Sequence, residues 1–136
     1  MKYIALIGRI LFSLIFLMAI IGHFQLGTAQ YAASAGVPMA SVIVPLSGII
    51  AFLGGVSIIL GYKAKLGAWL IVVFLIPVTF MMHRFWDATG PMQQMQMAMF
   101  FKNMAMLGGA LMISYFGAGP LSLDNRKKTA EQKPTA

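Results

Sequence analysis

Four long apolar runs set the limits on this chain, over residues 4–26, 40–60, 66–82 and 97–116. A helix of about 20 residues crosses the roughly 30 Å of hydrocarbon in a bilayer. Lipid offers no hydrogen-bond partner to a backbone N–H or C=O, so each run is predicted to be a helix. Water is excluded as the solvent for these runs. Of 136 residues, 60% are hydrophobic and 10% charged, against about half and a quarter in a soluble domain. A chain this short has no interior large enough to hide that much apolar surface.

The expected fold class is therefore all-α: an integral membrane four-helix bundle with short loops. One membrane domain is expected over residues 1–123, followed by a basic tail, 124–136, which lacks an apolar period and is read as disordered. The turn at 61–65 makes the second and third runs antiparallel neighbours. The nearly uncharged 27–39 connection holds a short interfacial helix at 31–35, ended by Gly36 and Pro38. The 84–96 connection reads as a polar loop with Gly90-Pro91 as its turn signal. Pro45 and Pro77 fall inside runs, where the lost N–H bends a helix. Small residues at four-residue spacing, Ser47, Ala51 and Gly55 and then Ala105 and Gly109, offer close helix approach, within the monomer or in a homo-oligomer.

Charge sets the orientation. Placing the N terminus, the 61–65 turn and the tail on one side gathers Lys2, Arg9, Lys63, Lys65, Arg126, Lys127, Lys128 and Lys133, eight basic residues against Arg84 and Lys102, two, on the other. The positive-inside rule then puts both termini in the cytoplasm. A competing reading takes residues 1–29 as a cleaved signal peptide, with Lys2 and Arg9 as its charged start and Gly27-Thr28-Ala29 as its cleavage site. The net charge of +7 lies at the ends of apolar runs, where it meets lipid headgroups rather than nucleic acid. The chain has no Cys, which excludes thiol catalysis and Cys-ligated metals for this chain alone. A phosphate loop, a nucleophile elbow and paired carboxylates are also missing from the sequence, so it is not expected to be an enzyme on its own.

Several strings fall in an order that resembles the DoxX family of bacterial inner-membrane proteins. They are Gly8-Arg9, Gly36-Val37-Pro38, Gly54-Gly55, Leu60-Gly61-Tyr62-Lys63, Phe80 through Trp86, Phe101-Lys102-Asn103, and Gly117-Ala118-Gly119-Pro120-Leu121. The resemblance implies a four-helix bundle and, through some members, a link to quinone- or thiol-stress-linked redox complexes. On that basis the chain is expected to be an accessory or anchoring subunit of such a complex, with redox partner proteins and a quinone as the ligand. The alternative is a small transport or permeation protein with an outer-side polar mouth. Where many members of that family carry a Glu, this chain has Ala51.

Ionisable groups in or beside membrane spans are costly and so are candidates for function. The topology gathers His23, Gln25, His83, Arg84, Asp87, Lys102 and Asn103 on the outer side. His83 would donate to a ligand oxygen and Arg84 would stabilise developing negative charge. The simpler roles are an interfacial anchor at Trp86, a local Arg84–Asp87 pair, snorkelling of Lys102 or its pairing with Asp87, and snorkelling of Arg9 to lipid phosphates, with a bridge between helix ends as the alternative for Arg9. Met92, Met95 and Met99 share a helical face and with His83 form a thioether–imidazole set that suits Cu(I). Adaptable packing is the preferred explanation for them, and no metal is expected.

Overall fold

Each apolar run folds as a helix in the structure, a computed structural model that describes residues 1–132. The first, α1, spans Lys2–His23. It stops before the expected Leu26 because Gln25 adopts an extended conformation and starts a second, short helix, α2, over Leu26–Ser34. That helix covers residues 31–34 of the expected segment, with Ala35 as its C-cap, and is longer at its start. It ends on Gly36 at φ +91°, with Val37 N–H donating to Ala32 O and Gly36 N–H to Ala33 O, both at 3.0 Å. Only a glycine takes this left-handed turn without strain.

Two further spans follow, α3 over Ala40–Leu60 and α4 over Ala64–Met82. The bend between them repeats the same device, with Gly61 at φ +63° and Tyr62 N–H donating to Ser57 O at 3.0 Å. After a 3₁₀ turn at Phe85–Asp87, the last span, α5, covers Gly90–Phe116. Here the expected polar loop is corrected: the chain is helical from Gly90 rather than from Met97. Pro91 sits in the first turn, where its missing N–H would have had no partner anyway.

The tail is also corrected. Residues Leu123–Glu131 form a helix, α6, in place of the disorder expected from Asp124. Ser122 caps it by accepting from Asn125 N–H at 3.2 Å, and Asp124 ties it back to the bundle through its N–H bond to Gly61 O at 2.8 Å. The end of the expected tail, including Lys133, lies outside the described residues. No strand occurs among the described residues, and four helices are long and apolar enough to cross a membrane.

In the bundle α3 packs between α1 and α4, and α4 packs on α5. Phe12 of α1 closes the ring by lying against Gly109 of α5. Lipid gives no solvophobic drive between helices, so close approach supplies the contact. Gly54 and Gly55 divide the work: a Cβ on Gly54 would sit 2.9 Å from Gly67 O of α4, and one on Gly55 3.2 Å from Phe16 Cβ of α1. Phe16, Ala51, Ile58, Ile71 and Leu75 fill the centre. Outside, large apolar side chains such as Leu11 and Met112 are exposed, the inversion expected of a surface that meets acyl chains. The bundle thus has a basic end, with Lys2, the Gly61 bend and α6, and a histidine end, with His23, α2 and His83.

Candidate functional site

The histidine end is held by a hydrogen-bond relay across three helices. Tyr31 lies on α2, His83 caps the C-terminal end of α4, and Gln96 lies on α5. Gln96 Nε2 donates to Tyr31 Oη at 3.0 Å. Its Oε1 is then the acceptor facing His83 Nδ1 at 2.8 Å, so His83 carries its proton on Nδ1. Gln96 is buried, and a buried amide left without partners would be costly. Two of these residues, Tyr31 and Gln96, are missing from the sequence-based site. Gln96 follows Gln93 and Gln94 at the start of α5, so no sequence signal singled it out.

Beside the relay, on another face of α2, opens a groove of about 360 Å³. Its polar lining comes from His23, Gln25, Gln30 and Ser41, and its apolar lining includes Phe24 and Pro45. His23 Nδ1 donates to Ala19 O at 2.6 Å, since a carbonyl oxygen only accepts. The ring packs on Phe74 with centroids 5.5 Å apart. Gly48 makes room for it, since a Cβ there would meet His23 Cβ at 2.5 Å. The groove carries no Asp, Glu, Lys or Arg in its lining, so its chemistry suits a neutral, hydrogen-bonding occupant.

The expected outer cluster is thus divided. His23 and Gln25 line the groove, while His83 belongs to the relay. Arg84 Nε lies 3.4 Å from Asp87 Oδ2, both side chains about half exposed, a pair of small energetic weight. Lys102 Nζ donates to Met99 Sδ at 3.2 Å, rather than to Asp87. Asn103 is buried on α5. Phe85, Trp86, Phe100 and Phe101 stack at centroid distances of 5.3 to 6.2 Å, an aromatic band suited to the headgroup level. Of the thioether set, Met92 and Met95 are exposed, Met99 is engaged by Lys102, and the Nδ1 of His83 is taken by Gln96. Among the described residues no three His, Asp or Glu side chains group as metal ligands.

At the basic end Arg9 corrects the expectation of snorkelling. It is 4% exposed, and its Nη2 donates to Leu121 O at 2.7 Å. Nη1 lies against Gly61, where a Cβ would collide with it and with Ser122. The guanidinium thereby sits at the C-terminal, negative end of α3. Asp124 completes the lock, accepting from Lys63 N at 2.8 Å and Ala64 N at 3.0 Å and so capping α4.

Fold and geometry together define a multi-pass integral membrane protein with a largely apolar groove, set with a few polar side chains, at one end. A family model for the SURF4 family matches residues 1–130, and the chain belongs to that family. It is 32% identical over 125 residues to "Inner membrane protein YphA" of Escherichia coli (strain K12), covering 89% of this chain and 88% of that protein. It is 36% identical over 74 residues to "Surfeit locus protein 4 homolog" of Drosophila melanogaster, a match to 52% of this chain and 27% of that one. No solved structure matches the chain. The family match overturns the DoxX resemblance, and the redox complex and quinone that it implied lose their basis with it. The strings that carried it serve needs general to such bundles: Gly54-Gly55 admits two neighbouring helices, and Gly61 turns the chain.

Proposed function

We propose that this protein is an accessory subunit of the bacterial inner membrane, with both termini in the cytoplasm, that holds a neutral ligand or a polar partner segment in its periplasmic groove. The groove lined by His23, Gln25, Gln30 and Ser41 carries this reading. Its walls are fixed, because the relay through Tyr31, Gln96 and His83 pins α2 in place. Toward the centre the bundle is filled by Phe16, Ile71 and Leu75, each at most 1% exposed. That packing favours a binding mouth over a conduit. The likeness to an E. coli inner membrane protein over 88% of its length supports the location, and the basic residues at the opposite end support the orientation.

The test is recovery from native membranes in a gentle detergent. The wild-type chain should bring down a partner or small molecule that is lost with Ser41→Trp, which fills the groove. A chain that comes down alone in both forms, yet drives solute flux into vesicles, would replace this reading with transport.

A further inference from the structure

The basic end holds a second site, independent of the groove. A cleft of about 590 Å³ lies between the start of α4, the Gly117–Gly119 stretch and α6. Lys63, Lys65, Lys127 and Lys128 line it. Lys127 Nζ stands 4.7 Å from the centroid of the Tyr62 ring and Lys63 Nζ 5.8 Å from the same centroid. Two ammonium groups therefore converge on one ring. Of the carboxylates in the lining, Asp124 has both oxygens bound to backbone N–H groups, and Glu131 closes the last turn of α6. Among the described residues the one ion pair is Arg84–Asp87, at the other end of the bundle. The lining therefore sets four ammonium groups against two carboxylates, and among the described residues no lysine stands within ion-pair distance of either, so the cleft keeps a net positive field.

Apolar surface lies directly beside that charge. Leu66 and Phe116 line the same cleft and are 58% and 74% exposed. Lys65 Cε lies against Gly117, 3.5 Å from where a Cβ would stand. The wall is held by Arg9 on Leu121 O. A soluble anion would use the ammonium groups alone, whereas a lipid uses both them and the apolar rim at the membrane edge. We propose that this cleft binds the headgroup of one acidic phospholipid, its phosphodiester among the lysines and its glycerol end against Leu66 and Phe116. Basic pockets at the ends of transmembrane helices recognise such headgroups through the same chemistry.

The full-length protein is placed in nanodiscs of phosphatidylcholine doped with phosphatidylglycerol, and retained lipids are counted by native mass spectrometry. Wild type should retain phosphatidylglycerol in preference to phosphatidylcholine. Lys65→Gln with Lys128→Gln should weaken that retention roughly thirty-fold. Lys2→Gln with Arg126→Gln, which removes equal charge from the same end outside the cleft lining, should stay within about two-fold. Equal loss in both double variants would mean diffuse surface attraction and overturn the site. Displacement by inorganic phosphate would assign the cleft to a free oxyanion instead. If the cleft variant does not fold, the wild-type comparison decides alone, and no preference for phosphatidylglycerol would overturn the proposal.

Discussion

Arg9 Nη2 donates to the carbonyl oxygen of Leu121 at 2.7 Å, joining the first span to the loop after the last across 112 positions of chain. A buried guanidinium on a backbone carbonyl forms a bond of about 1.5–3 kcal/mol. Arg9→Met should therefore lower the thermal midpoint in detergent by roughly 5 °C or more. It should also free the loop at 117–122 for proteolysis. Arg9→Lys should fail to rescue, because one ammonium cannot reproduce the planar fork. An unchanged midpoint in Arg9→Met would show that the bond is incidental.

Gly61 is the position where the basic end tolerates no side chain. Its φ of +63° already disfavours one, and a Cβ would strike Arg9 and Ser122. Gly61→Ala should cost about 2–4 kcal/mol, combining strain with overpacking. Gly8→Ala meets nothing within 4 Å and should be neutral or slightly stabilising, since alanine favours a helix. Comparing unfolding of the two variants in detergent checks the contrast.

Replacing Gln96 by Leu leaves the Nδ1–H of His83 and the hydroxyl of Tyr31 without their partner. Both orphaned groups are partly exposed, so each lost bond costs about 0.5–1.5 kcal/mol. The helix over Leu26–Ser34 should then loosen, with its amide hydrogen exchange faster by roughly ten-fold or more. Tyr31→Phe removes one bond and should give a smaller change. Equal exchange in wild type and Gln96→Leu would separate the relay from the docking of α2.

The cap at Asp124 gives a fourth expectation. Asp124→Ala strips acceptors from two N–H groups at the start of α4 and should cost about 1–2 kcal/mol. Asp124→Asn keeps one acceptor and should lose less. The check is again the thermal midpoint, alongside helicity of the 123–131 segment.

The spans were legible in the sequence because lipid imposes one rule on every residue of a run: the backbone must satisfy itself, and the side chains must be apolar. The bend at Gly61 was legible for a similar reason, as a glycine beside lysines between two apolar runs. The start of α5 was not, because Met92 to Gln96 mixes amides with methionine and reads as loop until Pro91 is seen as a first-turn residue. α6 was hidden because, beyond the local cap at Ser122, it is held by Asp124 reaching residues 63 and 64, which no local pattern reveals. The outer polar cluster was half legible. Topology placed His23 and His83 at one end, but only the packing of α2 decides that they serve different contacts. Arg9 was misread because one charge near a helix end has two solutions, lipid phosphate or a protein carbonyl, and sequence position does not choose between them.

Orientation in the membrane underlies both proposed sites. The chain has no native cysteine, so single cysteines report cleanly on sidedness. Lys65→Cys and Ala88→Cys, probed in intact cells with a membrane-impermeant maleimide, make the most direct test. Labelling of Ala88→Cys in intact cells, and of Lys65→Cys only after the membrane is opened, is the predicted result. Labelling of Lys65→Cys from outside, with Ala88→Cys protected, would contradict it and would place the groove in the cytoplasm.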